Sequence, residues 1–194
     1  MAGFIELMRD CEAIAVPSGL RQTLPAGTKV QILQARSGDF TVSTERHAIF
    51  RIDGADADAL GRERNPKLDV SSLFTEGPLT EERVREVLKT VYDPELPVNV
   101  VDLGLIYACT LTARPQGGQT VTVRMAMTSP GCGMSNVLKA DVERKLMQMP
   151  GVEEAHVEVV FDPPWTPDRM SESARLQLGM DLDDGPGLVQ ISRF

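Results

Sequence analysis

Pro78-Leu79-Thr80-Glu81-Glu82-Arg83-Val84-Arg85-Glu86-Val87-Leu88-Lys89-Thr90-Val91-Tyr92-Asp93-Pro94 reads as one helix with marked ends. Thr80 is a candidate N-cap, and two acids follow in the first turn, where the helix dipole favours negative charge. Val84, Val87, Leu88 and Val91 fall at i, i+3, i+4 and i+7, one face of a helix. Pro94 closes it, because the residue before a proline is pushed out of the helical region.

Downstream, Leu105–Thr112 and Thr120–Met127 are rich in strand formers and flank Pro115-Gln116-Gly117-Gly118, a hairpin signal. A second amphipathic helix carries Met134, Val137, Leu138, Val142, Leu146 and Met149 on one side, and Pro150-Gly151 stops it. Ala155, Val157, Val159 and Phe161 then alternate with His156, Glu158 and Val160 in a third strand. Thr166 as N-cap, Pro167 at the first helical position and Gly179 after the last turn delimit a final helix. The order helix, strand, strand, helix, strand, helix predicts an α/β (α+β) layer: a three-stranded sheet covered by helices.

Upstream, short apolar runs at Ala13–Val16, Lys29–Ala35, Phe40–Ser43 and Ala48–Ile52 are separated by Pro17-Ser18-Gly19, Pro25-Ala26-Gly27 and Ser37-Gly38-Asp39. Such spacing predicts several short strands. The expected organisation is a small β-rich N-terminal domain (1–65), a linker (66–77), the α/β domain (78–180) and a C-terminal tail (181–194). A short helical piece is expected near 55–65, and residues 188–194 could add an edge strand.

The chain has 194 residues, 42% hydrophobic and 25% charged, with a net charge of −8. Those are values of a folded protein. The acidic balance, without any Lys/Arg run, argues against nucleic-acid binding, which must neutralise phosphates. Apolar stretches fall far short of the ~20 residues a bilayer needs, so no membrane association is expected. Three cysteines (Cys11, Cys109, Cys132) without an export signal point to free thiols in a reducing cytoplasm.

Three loops could carry chemistry. Asp93-Pro94-Glu95 presents two carboxylates on a proline-stiffened turn. Thr128-Ser129-Pro130-Gly131-Cys132-Gly133-Met134 sets a cysteine between two glycines at the mouth of a helix, where backbone N–H groups and the dipole favour a thiolate. Gly131 and Gly133 let the backbone approach a ligand closely. Pro163-Pro164-Trp165 is the third, with Pro164 shaping the loop and Trp165 as a core anchor or a partner contact.

Read together, Tyr92-Asp93-Pro94-Glu95-Leu96-Pro97-Val98-Asn99-Val100-Val101-Asp102-Leu103-Gly104-Leu105-Ile106-Tyr107, then Thr128–Met134, then Phe161-Asp162-Pro163-Pro164-Trp165-Thr166-Pro167 resemble the iron–sulfur maturation domain of the SufT family. Related domains occur in the eukaryotic cytosolic iron–sulfur targeting factor, in the phenylacetate-degradation protein PaaD and ahead of the ATPase of some cluster carriers. The resemblance covers residues 78–180; Lys29–Ile32 and Ala57–Gly61 also look like the extension of longer SufT proteins. It implies an accessory role in building or delivering iron–sulfur clusters, with the assembly machinery and recipient apoproteins as partners and no enzymatic activity. The functional patch it implies is Asp93, Glu95, Asp102, Thr128 and Cys132, with Cys132 the candidate metal ligand.

The residues themselves set limits on that role. A cluster commonly takes four thiolates, and the chain contains no Cys-x-x-Cys. Cys109 lies in a predicted strand and reads as core, and Cys11 reads as structural. Stable storage of a cluster by one copy is not expected. Transient holding of iron or a cluster, a site shared across a homodimer, and docking without metal remain open alternatives. Asp93 and Glu95 would raise a nearby thiol's pKa against the effect of the helix terminus. A thiol enzyme with Cys132 as nucleophile would need a base, and only His47 and His156 exist. His47 lies in the other domain, and His156 faces away from the apolar side of its strand.

Overall fold

A computed structural model describes residues 3–36, 39–64, 70–73, 77–128 and 133–180. The expected strand at 188–194, most of the expected linker, and the residues Ser129, Pro130, Gly131 and Cys132 lie outside them.

The first half is a six-stranded antiparallel sheet: β1 (Ile5–Glu6), β2 (Cys11–Val16), β3 (Arg21–Leu24), β4 (Lys29–Arg36), β5 (Asp39–Thr44) and β6 (Ile49–Ile52). Their order across the sheet is β1-β4-β5-β6-β2-β3. Val30, Val42, Phe50 and Ile52 pack with Leu7, Cys11, Leu24 and Leu60 in a compact core. The helical piece expected near 55–65 is a 3-10 segment, Gly54–Leu60, started by Asp53, whose carboxylate accepts from Ala55 N at 2.6 Å.

The second half holds helix α1 (Glu81–Leu88), β7 (Ile106–Ala113), β8 (Gln119–Met125), helix α2 (Ser135–Met147), β9 (Val152–Val159) and helix α3 (Glu172–Gln177). The expected three-stranded sheet has the order β7-β8-β9. β7 and β8 form the predicted antiparallel hairpin, whereas β8 and β9 run parallel. Parallel neighbours require a crossover, and α2 supplies it. Thr80 caps α1 as expected, accepting from Arg83 N. Val84, Val87, Leu88 and Val91 are fully buried with Val121, Val123, Met125 and Leu146. Each such side chain contributes about 1.5–3 kcal/mol through burial.

Several boundaries differ from the sequence reading. Helix α1 stops at Leu88, ahead of Pro94, because Thr90 N and Val91 N bond three residues back to Val87 O and Leu88 O. Such bonds tighten and end a final turn. The single final helix expected from Thr166 to Gly179 is two pieces, a 3-10 turn at Pro167–Arg169 and then α3. Thr166 makes no side-chain cap bond; Ser171 caps α3 instead, accepting from Ala174 N at 3.2 Å. The break places Met170 in the core and lets Ser171 N donate to Asp102 O at 2.8 Å. Phe161, read as part of the third strand, lies beyond β9 and is exposed.

Helix α2 also departs from a single apolar side. Leu138, Val142 and Leu146 join the main core, but Val137 and Ala140 pack with Ile14 of β2, with Met134 and Val16 beside them. The N-terminal sheet thus sits on α2. Gly19, in the β2–β3 turn, comes so close to the helix start that a Cβ there would lie 2.4 Å from Asn136 O.

Under this contact lie six buried charges. Asp39, Arg51 and Asp53 come from the N-terminal half, and Asp141, Arg144 and Lys145 from α2. Arg144 Nη2 donates to Asp53 Oδ2 and to Asp141 Oδ1, Lys145 Nζ lies 2.7 Å from Asp53, and Arg51 contacts Asp39 and Asp141. Three cations meet three anions, so the set is neutral. Burial works to raise the Asp53 pKa, but Arg144 and Lys145 outweigh it and hold the carboxyl below its ordinary value. In Arg144, burial works against the charge, and the Asp141 and Asp53 carboxylates overcome it, raising the pKa.

Candidate functional site

The loop after α1 is tied to itself by side chains placed to accept from its backbone. Tyr92 bridges Asn99, and Asp93 N donates to Val98 O at 3.1 Å. Asp93 Oδ1 accepts from Glu95 N at 2.8 Å and from Leu96 N at 2.9 Å. This is the turn-forming habit of aspartate. Asn99 repeats it, accepting from Val101 N and Asp102 N, while its Nδ2 donates to Asp102 Oδ2 at 2.6 Å. Asp93 is buried, Asp102 half-buried, Glu95 exposed. Two of the three carboxylates therefore also act as braces of the loop that displays the third.

The proline-rich loop is clipped onto this first loop. Trp165 Nε1 donates to Leu103 O at 2.8 Å, Tyr107 Oη donates to Pro163 O at 3.1 Å, and Arg169 stacks over the Tyr107 ring at 3.9 Å. Gln177 Nε2 reaches Pro97 O at 2.6 Å. Trp165 is half-buried against the main core. Pro163 and Pro164 carry the chain to it.

Of the third loop, the described ends are informative. Ala126 N, just past β8, donates to Leu105 O at 2.8 Å, and Thr128, two residues further on, is half-buried. Gly133 is exposed, and a Cβ on it would meet nothing within 4 Å. Met134, next in sequence, lines a cleft with Asp93 and Pro94. The Asp93 loop and Met134 at the start of α2 thus meet at this cleft, while Cys132 and Gly131 lie outside the described residues. Glu95, Asp102 and Thr128 are not among the residues lining it.

The remaining walls are Gln34, Asp39, Thr41 and Arg51, all from the N-terminal sheet. None of these stood out in the sequence. Each is a polar residue in a strand, and nothing local distinguishes a strand residue that faces a second unit from one that faces water.

The other two thiols are withdrawn from chemistry. Cys11 is 1% exposed, and burial pushes its pKa up to about 12. Burial likewise raises Cys109, which packs in the main core. Since the thiolate is the reactive form, iodoacetamide at mildly alkaline pH is expected to spare both in the native protein and to label both in urea. Peptide mass mapping reads the difference. His156 is exposed and sits 3.1 Å from Glu154 on the outer face of β9. Among the described residues, no group of three or more His, Cys, Asp or Glu is placed to hold a metal ion, and no helix is long and apolar enough to cross a membrane.

The family model described as iron–sulfur cluster assembly protein matches residues 81–159. A protein of Porphyromonas gingivalis named Fe-S protein maturation auxiliary factor is 44% identical over 100 residues, 52% of this chain and 91% of that protein. The Fe-S protein maturation auxiliary factor SufT of Staphylococcus aureus is 38% identical over 90 residues, 46% of this chain and 98% of that one. An iron-sulfur cluster carrier protein of Synechocystis is 33% identical over 96 residues, 48% of this chain but 26% of the carrier. The family match begins at Glu81, so the six-stranded sheet lies wholly outside it.

Proposed function

Because this chain belongs to the iron–sulfur cluster assembly protein family, we propose that it is an accessory factor that helps build clusters or deliver them to recipient apoproteins in the cytoplasm. The working patch in this reading is Asp93, Glu95, Asp102, Thr128 and Cys132. The observation that carries it is the 44% identity along nearly the full length of a maturation factor. All five patch residues also fall inside the family-matched stretch. The division into 1–65, 66–77, 78–180 and 181–194 belongs to the same proposal.

The chemistry follows from what the residues can offer. With Cys11 and Cys109 buried, Cys132 is the one thiol of the three left to meet iron, and the patch carboxylates Asp93, Glu95 and Asp102 are the candidates to add oxygen ligands. One thiolate is short of the four a cluster commonly takes. The cluster is therefore cargo, held briefly, between two copies, or between this chain and its partner. A second reading, an adaptor that docks partners without touching metal, draws on Asp93 and Asp102, whose oxygens already accept bonds within their own loop.

The test is genetic. Deleting the gene is expected to lower the activity of iron–sulfur enzymes several-fold while cluster-free enzymes hold steady. Wild-type protein restores them; Cys132→Ala and Asp93→Asn do not. The asparagine keeps the Oδ1 acceptor that shapes the turn and removes the charge, so a loss with it reports on chemistry and not on folding. Full restoration by both variants would sink the patch, and normal cluster enzymes in the deletion strain would sink the role.

A further inference from the structure

The loop that carries Asp93 is gripped from outside the family-matched stretch. Arg51 lies in β6 and is 7% exposed. Its Nη2 donates to Tyr92 O at 3.0 Å, one residue before Asp93. The same guanidinium is held by Asp39 on the neighbouring strand and stands 3.6 Å from Asp141 on α2. A planar donor fixed by carboxylates is directional, so it dictates where the Tyr92 carbonyl sits. Tyr92 in turn bridges Asn99, and Asp93 N is bonded to Val98 O, so the loop follows that carbonyl as one piece.

Among the described residues, the other links of the charged set between the sheet unit and α2 are those of Arg144 and Lys145 to Asp53. Arg51 differs because it touches the sheet, the helix and the loop at once. Its side chain also forms part of the cleft wall between Asp93, Pro94 and Met134. We propose that Arg51 is a positioning residue, through which the N-terminal sheet holds the Asp93 loop in register with the start of α2. The N-terminal sheet is then a working part of the site. This rests on the accessory role proposed above only for its functional consequence; the positioning itself is a physical claim.

Hydrogen exchange of the full chain, read by mass spectrometry, separates the two. In Arg51→Ala the amides of Asp93, Glu95 and Leu96 are expected to exchange about tenfold faster, as befits the loss of one charged hydrogen bond. Those of β7, β8 and β9 should be unchanged. Arg51→Lys keeps the charge balance but replaces the fork with one ammonium on a flexible stem. It is expected to fold normally and to loosen the same amides to a smaller extent, and it decides the matter should the alanine variant fail to fold. Restoration of iron–sulfur enzyme activity in the deletion strain should fall in step with loop exchange. Unchanged exchange at 93–96 in Arg51→Lys, or acceleration spread equally through β7–β9, overturns the positioning while leaving the accessory role standing. A loosened loop with full restoration overturns its functional consequence. A deletion strain with normal cluster enzymes removes the role and leaves the exchange result to stand alone.

Discussion

Arg144→Ala is expected to cost about 3–5 kcal/mol of folding stability, the range for removing one partner from a buried ion pair. The side chain is 4% exposed and serves two carboxylates, Asp53 and Asp141. Without it the buried set has two cations for three anions. Asp53 keeps Lys145 at 2.7 Å, but Asp141 is left with Arg51 at 3.6 Å. Uncompensated charge in a poorly solvated interior is what makes the loss large. Urea unfolding followed by far-ultraviolet circular dichroism measures it. Because the lost contact to Asp53 joins the two halves, the transition is also expected to split into two steps, a departure from two-state behaviour. A variant that unfolds at the wild-type midpoint would mean that the remaining contacts, the cluster of Ile14, Val137 and Ala140 and the links of Lys145 and Arg51, bind the halves without help from Arg144.

Gly104→Ala carries the second large effect, about 2–5 kcal/mol from backbone strain and overpacking combined. Gly104 has φ +70°, and an added Cβ would stand 2.1 Å from Arg169 O and 2.6 Å from Arg169 C. Both are backbone atoms, so no side chain can swing away. Relief requires the 3-10 turn at Pro167–Arg169 to move, and with it the indole bond from Trp165 to Leu103 O. Trp165 is the single tryptophan of the chain, so a red shift of its emission reports the displacement directly. Gly27→Ala is the control. It has φ +78° with nothing within 4 Å of a Cβ, so it carries the conformational strain without the collision and should cost about 1 kcal/mol. Equal losses at the two sites would show that the approach of Arg169 to Gly104 has slack.

Much of the fold was legible because its signals are local. The four apolar runs of the first half became β2, β4, β5 and β6 with ends shifted by a residue or two. Thr80 capped its helix, and the Pro-Gln-Gly-Gly turn joined β7 to β8. Strands β1 and β3 were not legible: Ile5–Glu6 and Arg21–Leu24 carry little alternation and exist because β4 and β2 offer them edges. The junction of the halves was hidden for a similar reason. Asp141, Arg144 and Lys145 look like the watered side of an amphipathic helix, and only partners such as Asp53, 91 residues away from Arg144, make their burial tolerable. At the candidate site the family resemblance pointed to Asp93, Glu95, Asp102, Thr128 and Cys132, and it could not show that Asp93 and Asp102 brace their own loop. It was also silent on the cleft walls from the N-terminal half.

Covalent attachment changes how strong the seam between the halves has to be. Nine residues, 61–69, join Leu60 to Val70, which is packed in the main core of the second half, and a covalent link of that length keeps its two ends at an effective concentration of ~1 mM. If the separated halves bound each other with a dissociation constant of about 10 μM, the joined chain would still spend about 99% of its time docked. A modest seam therefore suffices for near-constant closure, and weakening it tenfold would leave about one molecule in ten undocked.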